Sequence, residues 1–142
     1  MVDTTIYAED VNYWKTSQKS ADSWIDDTCD IITSIKGEIL QQAFGTMQGR
    51  AAYLLVFKLG SDVFKVSFPV LPSKTGNMKA AKVQAATILY HDVKAKVVLA
   101  KVLGTRAAFF TYLMLPDGRS AAEATTPELV AQLPKMLVSS IE

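Results

Sequence analysis

The sequence predicts an α+β domain in which a three-stranded antiparallel sheet is flanked by helices. Three observations predict this class: an amphipathic helical pattern ending near residue 35, three strand-like runs between residues 38 and 70, and a long helical pattern over residues 77–104. Short turns join the three runs, as in an antiparallel meander. We therefore expect one domain over residues 1–142, with an N-terminal arm at 1–17 and a C-terminal helical tail at 126–142.

The composition is that of a globular protein. Hydrophobic residues make up 49% of the chain and charged residues 20%, and the net charge of +1 indicates no partner by itself. Cys29 is the single cysteine, which excludes an internal disulfide and a cysteine-based zinc site within one chain. The sequence shows neither a signal-peptide pattern nor a membrane-spanning run. We therefore expect a soluble cytoplasmic protein that makes no membrane contact.

An amphipathic pattern predicts the first helix, which Ser17 or Ser20 is suited to cap. Lys36 and Gly37 are suited to end it, as a cation in the last turn and a glycine after the helix. Apolar residues recur at three- and four-residue steps, which gives the helix one buried face. These apolar positions are Trp24, Ile25, Cys29, Ile31, Ile32 and Ile35.

Three aspartates, Asp22, Asp26 and Asp30, follow each other at four-residue spacing on the same helix. Carboxylate oxygens are the ligands that magnesium and calcium prefer, so this stripe is compatible with a metal-dependent enzyme. The alternative is a solvated acidic face whose first member favours the helix N-terminus. We favour the solvated face, because no second acidic motif such as a calcium-binding loop accompanies the stripe. The sequence thus predicts no metal site.

The three strand-like runs differ in pattern. Residues 38–44 form the first run and are followed by a turn that begins at Gly45 and includes residues 48–50. Residues 51–59 are nearly continuously apolar, which predicts a strand buried on both faces. Residues 63–70 alternate between apolar and polar side chains, which predicts one solvated face. Prolines at 69 and 72 lack a backbone donor and should end the pairing.

A second, longer helix is predicted over residues 77–104. A helical wheel places one apolar face towards the sheet, at Met78, Ala85, Leu89, Val93, Ala100 and Leu103. Ala95, Val98 and Val102 lie on the opposite face, and a helix that is apolar all round is covered from both sides. The cover is either the C-terminal segment or a second subunit, and we expect a homo-oligomer formed through this helix.

The remaining residues predict short elements. Residues 107–115 are strongly apolar and favour a helix followed by an extended segment. A proline, an aspartate and a glycine in residues 116–119 predict a turn, and residues 120–125 predict a surface loop. Residues 126–128 combine an N-cap threonine, a first-turn proline and a glutamate, which predicts a helix that Pro134 interrupts.

The sequence contains no recognisable catalytic motif. A phosphate-binding loop, a nucleophile elbow and a zinc-protease helix are all missing. His91, the single histidine, adjoins Asp92, but neighbouring residues of a helix face different directions and form no acid–base dyad. Cys29 lies on an apolar helix face, so we expect a buried and unreactive thiol. We therefore predict a non-enzymatic protein without a cofactor.

Five basic residues are candidates for phosphate contact: Lys74, Lys79, Lys82, Lys94 and Arg119. The three earliest lysines cluster where the third strand leads into the long helix. Lysines at a helix start combine their own charge with free backbone N–H groups and the positive end of the helix dipole, which suits phosphates. The alternative is that these are ordinary solvated lysines of an amphipathic helix.

Residues 78–86, MKAAKVQAA, resemble the lysine-rich start and paired alanines of the second helix of double-stranded-RNA-binding domains. The order helix, three strands, helix is also similar to that family. The resemblance implies recognition of RNA by its shape. A meander followed by a helix is also similar to the core of single-strand annealing proteins, which work as oligomers.

A third resemblance is to small uncharacterised proteins encoded by phages and prophages. It is carried by residues 64–69, FKVSFP, by residues 93–96, VKAK, and above all by residues 112–119, YLMLPDGR. It implies an origin in a phage or mobile element and the order of the elements over residues 18–125. It implies no activity.

These observations lead to one functional hypothesis and one alternative. The first is a non-enzymatic nucleic-acid-binding protein of phage or mobile-element origin, acting in replication or recombination, which holds phosphates through the five basic residues. The alternative is a phage-encoded inhibitor that docks on a host protein through an apolar surface of the long helix. A metal-dependent enzyme that uses the aspartate stripe ranks third.

Overall fold

A computed structural model of the chain describes residues 5–47 and 49–125. It shows an α+β fold in which a helix, a three-stranded antiparallel sheet, a long helix and short helices follow each other, as the sequence predicts. The elements are α1 (Ala21–Ser34), β1 (Glu38–Met47), β2 (Arg50–Leu59), β3 (Asp62–Pro69), α2 (Met78–Leu103) and α3 (Thr105–Ala108), with 3-10 turns at Ala8–Asp10, Phe110–Tyr112 and Glu123–Thr125. The helix predicted from residue 126 onwards lies outside the described residues.

The sheet is a meander with the strand order β1-β2-β3, and both strand pairs are antiparallel. β1 runs three residues further than the sequence predicts, through Gly45, because Gly45 pairs with Ala52 in β2 and Thr46 pairs with Ala51. The prediction of a turn at Gly45 is therefore wrong. Ladder hydrogen bonds to a neighbouring strand use only the backbone, so a glycine is tolerated there. Gly49 lies in a turn, with φ +78°.

The core lies between the sheet and the two long helices. Alternate residues of β2, such as Leu55 and Phe57, are buried with Ile32 of α1 and with Leu89 and Val93 of α2. Phe109 closes one end of this core, with its ring centroid 5.7 Å from those of Phe57 and of Phe64 in β3. Each such side chain contributes about 1.5–3 kcal/mol when it leaves water.

The central strand is buried on both faces, which confirms the prediction from its continuous apolar run. Tyr53 and Leu55 face the helices and are buried, and Ala52 and Val56, which alternate with them, are buried on the other face. β3 follows its alternating pattern, with Phe64 and Val66 in the core and Lys65 between them.

The helix ends show the expected capping, with one difference. Ser20 caps α1 by accepting a hydrogen bond from the backbone N–H of Ser23, and Asn77 caps α2 by accepting one from Ala80. At the end of α1 the left-handed residue is Lys36, at φ +67°, rather than Gly37. Gly37 is instead required by close packing, because a Cβ atom there would lie 2.5 Å from Cγ2 of Ile32.

The N-terminal arm packs on α2 through residues that the sequence pattern does not single out. The side-chain nitrogen of the buried Gln84 lies 2.7, 3.1 and 3.0 Å from the carbonyl oxygens of Ala8, Val11 and Asn12. Its two hydrogens are shared among these three acceptors. Ala8 is fully buried, whereas Ile6 is exposed. This buried amide therefore helps to hold the arm, and the backbone N–H of Ala8 adds a hydrogen bond to the carbonyl oxygen of Pro72.

The outward face of the second half of α2 is uncovered by the described residues. We name the residues Val98, Leu99, Val102, Leu103 and Phe110, which are all exposed, the α2 apolar surface. The placement of Met78 and Leu103 on the sheet is wrong, since both are half-exposed or more.

Among the described helices, none is both long enough and apolar enough to cross a membrane.

Candidate nucleic-acid interface

The basic residues that the sequence singles out do not form one surface. Lys79 and Lys82 lie in the first turns of α2 and line the same groove of about 340 Å³, together with Ser20 and Asp22 of α1. Asp22 also lines a neighbouring cavity of about 200 Å³, whose wall includes Gln42, Phe44 and Tyr53. We name the groove and the cavity together the helix-start cleft, because the first turns of both long helices border it.

Lys79 and Lys82 project to the same side of α2, since residues three apart are neighbours on a helix surface. Neither lysine has a carboxylate of the described chain within ion-pair distance. The Nζ atom of Lys82 lies 4.2 Å from the centroid of the Phe44 ring, which is a cation–π contact. This contact orients the ammonium without neutralising it, so its positive charge stays available to an anion.

The electrostatics of the cleft are mixed. The N-terminal ends of α1 and α2 place the positive ends of two helix dipoles near the groove, which favours an anion. Asp22, in the first turn of α1, adds a carboxylate to the same groove. A negatively charged ligand therefore finds its cations on the α2 side, and a hydrogen-bond donor of that ligand finds an acceptor on the α1 side.

The aromatic wall of the cleft comes from the pairing of β1 with β2. Phe44 and Tyr53 are opposite each other in the strand register, with ring centroids 4.8 Å apart and the rings inclined by 53°. Phe44 is 43% exposed, whereas Tyr53 is buried. Burial and the negative charge of Asp22 raise the pKa of Tyr53 to about 12, so the hydroxyl stays protonated.

Two of the five predicted phosphate ligands are engaged elsewhere. The Nζ atom of Lys74 lies 2.9 Å from Oδ1 of Asp10, and the hydrogen bond and the charge of Asp10 raise the pKa of Lys74. Nε of Arg119 donates to Oδ2 of Asp117 at 2.8 Å, within the turn beside β3. Both cations therefore already have a carboxylate partner, and their contact with phosphate stays a prediction.

Lys94 is exposed but lies about 22 Å along α2 from Lys79, at 1.5 Å per residue. Its Nζ atom is 6.0 Å from the Tyr90 ring centroid. The structure thus brings Lys79 and Lys82 together and leaves Lys94 outside the cleft.

The aspartate stripe does not form a metal centre. Asp22 turns towards the cleft, and the neighbouring Asp27 forms an ion pair with Lys19. Within residues 5–47 and 49–125, no group of three histidine, cysteine or acidic side chains is arranged to hold a metal ion.

The other titratable candidates have structural contacts. Cys29 is half-buried rather than buried, and burial together with Asp26 and Asp30 raises its pKa, which keeps the thiol protonated and unreactive. The ring of His91 stacks on Tyr13 at 5.1 Å between centroids. The carboxylate of Asp92 instead contacts Lys96 and Tyr112.

Asp92 joins α2 to the segment after it. It accepts hydrogen bonds from the hydroxyl of Tyr112 and from Nζ of Lys96. Burial and the bond to Asp92 raise the pKa of Tyr112.

No sequence pattern identified three neighbours of the lysines, which are Phe44, Tyr53 and Asp22. Each is an ordinary residue of its own element, and no local pattern separates it from the rest. The signal that would have found the aromatic pair is the register of β1 on β2, which depends on where the hairpin turns.

No protein-family model matches the sequence, and no curated protein and no solved structure shows significant similarity to the chain.

Proposed function

We propose that the protein binds nucleic acid without enzymatic activity, through phosphate contacts from Lys79 and Lys82 in the helix-start cleft. The observation that supports this proposal is a pair of lysines without carboxylate partners among the described residues, at a helix start and beside a half-exposed aromatic ring. Cations, free backbone N–H groups and an aromatic face are the groups that nucleic-acid surfaces combine. Replication or recombination in a phage or mobile element is the setting we propose for this activity.

The number of free cations sets the expected affinity for nucleic acid and its dependence on salt. Each neutralised phosphate contributes about −0.7 to the slope of log K against log salt for a single strand and about −0.9 for B-DNA. Two lysines therefore give a slope of about −1.4 on a single strand. Such a contact set corresponds to non-specific binding, with a Kd on the order of 10⁻⁴ to 10⁻⁶ M at physiological salt.

Fluorescence anisotropy tests the proposal, with labelled single- and double-stranded DNA and RNA at 50 and 200 mM salt. Removing both charges, in Lys79→Gln/Lys82→Gln, should abolish most of the salt dependence and weaken binding. A matched control is Lys58→Gln/Lys101→Gln, which removes two exposed charges outside the cleft. Equal affinity of the two double variants for every strand would reject the proposal.

A protein-binding role is the second candidate, and the α2 apolar surface is the observation that favours it. Val102 is 78% exposed and Leu103 60% exposed, and Leu103 lines a surface groove together with the exposed Phe110. Contiguous exposed apolar side chains mark interaction sites more often than isolated ones do. In this role the protein is a homo-oligomer or an inhibitor that docks on a host protein.

Two measurements separate these partners. Sedimentation of the purified protein at increasing concentration reports self-association, and a pull-down reports a stoichiometric host protein. Val98→Ser/Val102→Ser should abolish whichever association is present, while Lys79→Gln/Lys82→Gln should leave it unchanged. An association that survives the loss of both valines would not use the α2 apolar surface.

A further inference from the structure

We propose that the cavity beside Tyr53 receives one unpaired nucleobase, while Lys79 and Lys82 hold the phosphate of the same nucleotide. This inference rests on the proposed function and narrows it to nucleic acid whose bases are unpaired. It follows from three independent features of the cavity: a buried hydroxyl without a partner, a volume suited to one ring system, and a polar rim opposite an aromatic wall.

The first feature is the Tyr53 hydroxyl. Tyr53 is only 5% exposed, and its oxygen is the one buried side-chain polar atom of the described chain that has no hydrogen-bond partner. Buried polar atoms are nearly always hydrogen-bonded, because leaving one unpaired is unfavourable. Tyr112, the other buried tyrosine among the described residues, donates to Asp92. Tyr53 is one of the residues that line the cavity, so a ligand seated there is positioned to supply the missing partner.

The second feature is the size of the cavity. Its volume of about 200 Å³ is smaller than the sites that bind drug-sized molecules, which span about 300–1,000 Å³. It therefore suits one ring system rather than a base pair. Ile25 and Leu89 form part of its apolar lining, which suits the faces of a flat heterocycle.

The third feature is the chemistry of the rim. Asp22 accepts hydrogen bonds, and the Gln42 amide both donates and accepts, as does the Tyr53 hydroxyl. The edge of a nucleobase carries amino or imino donors next to ring-nitrogen or carbonyl acceptors, so it matches these groups. Phe44 supplies an aromatic wall on the same side.

The phosphate position follows from the groove that adjoins the cavity. Asp22 borders both spaces, and Lys82 contacts the ring of Phe44, which lines the cavity. A nucleotide whose base lies against Phe44 therefore has its phosphate near the ammonium of Lys82 and towards Lys79. In duplex DNA or RNA the base edges are paired and stacked, so only the lysine contacts remain available.

The test uses two fluorescent single-stranded 12-mers, one with natural bases and one with abasic positions along the same phosphodiester backbone. The wild-type protein should bind the base-bearing strand about tenfold more tightly, near the low end of what one base contact contributes. Tyr53→Phe removes only the hydroxyl, and it should lose most of this preference without a lower melting temperature. Tyr90→Phe is the matched control, since this hydroxyl lies on α2 outside the cavity, and it should behave as wild type.

The outcomes separate this inference from the proposed function. If Tyr53→Phe keeps the preference for base-bearing strands while Lys79→Gln/Lys82→Gln loses affinity, the base site is overturned and phosphate binding stands. If no strand binds the wild-type protein, the proposed function is overturned. Calorimetric titration with nucleoside monophosphates then tests whether the cavity binds a base. Binding that depends on Tyr53 supports a site for a free nucleotide, and the lack of any binding overturns the base site.

Discussion

The two halves of α2 have similar apolar composition but different surroundings. In the first half, Ala85 and Leu89 pack in the core, and the opposite side is closed by the N-terminal arm through Gln84. In the second half, Val93 and Val97 are buried, whereas Val98 and Val102 on the outward side are exposed. The arm makes the difference, since its described contacts with α2 run from Gln84 to His91.

The difference between the two halves shows how far the burial of a helix can be predicted from apolar residues on all its sides. The pattern requires cover on two sides only if the helix is buried along its whole length. Here Gln84 binds backbone carbonyl groups of the arm, which covers the first half together with α1, whose Trp24 ring packs against Tyr90. The second half keeps its apolar side chains exposed, which makes it the region to examine for a partner.

The largest loss of stability should come from removing the Gln84 contact that holds the arm on the first half of α2. Gln84→Leu preserves the side-chain volume but leaves the carbonyl groups of Val11 and Asn12 without this donor, whereas the Ala8 carbonyl keeps only the backbone N–H of Val11. We expect a loss of about 3 kcal/mol in the free energy of unfolding, measured by urea denaturation. Gln41→Leu, at an exposed glutamine of β1, should stay within about 0.5 kcal/mol. Equal losses in both variants would show that the amide does not hold the arm.

The next effect compares two valines on the same helix. Val93→Ala removes methyl groups from the core and should lower the free energy of unfolding by about 2 kcal/mol, from lost burial and a residual cavity. Val102→Ala removes the same groups from the α2 apolar surface and should change it by less than about 0.5 kcal/mol in a monomer. A clear loss at Val102, growing with protein concentration, would indicate a covered face and a homo-oligomer.

A third comparison concerns the two buried tyrosines. Tyr112 fixes the start of the second half through Asp92, so Tyr112→Phe should cost about 1.5 kcal/mol, as expected for a hydrogen bond to a charged acceptor. Tyr53→Phe removes a hydroxyl that has no partner in the described chain and should leave the melting temperature unchanged or raise it. Thermal unfolding of both variants checks this. A larger loss at Tyr53 would mean that its hydroxyl has a partner in the free protein.

The sequence predicted the elements better than their contacts. Helical periodicity, strand alternation and the Ser20 cap are local signals, so α1, the meander and α2 follow from them. The extension of β1 through Gly45 depends on pairing with β2, and the burial of Ala8 depends on a carbonyl contact to Gln84. Such non-local contacts leave no periodic trace.

The same distinction between local signals and non-local contacts applies to the candidate site. The lysines at the start of α2 were predicted from local sequence, and Lys79 and Lys82 do share a groove. The ion pairs of Lys74 with Asp10 and of Arg119 with Asp117 decide which cations stay free, and only the structure shows them. Tyr53 entered the site through strand register and not through a motif.

The smallest effect should appear on acidification, at the start of the arm. The Glu9 carboxylate accepts hydrogen bonds from the Ser73 hydroxyl at 2.7 Å and from the Lys74 backbone N–H at 2.9 Å. Burial of the Glu9 carboxyl raises its pKa, but these hydrogen bonds outweigh burial and lower the value from 4.5 to about 2. Because the folded state has the lower pKa, this contact stabilises the arm fully above about pH 4.5, and the stabilisation is lost as the pH falls towards 2.

Hydrogen exchange of the Lys74 amide should accelerate across that window relative to the intrinsic rate, before the amides of β2 do. Glu9→Gln should remove this pH dependence, and an unchanged profile would assign it to another carboxyl group. Release of the arm would expose Gln84 and leave the first half of α2 as open as the second.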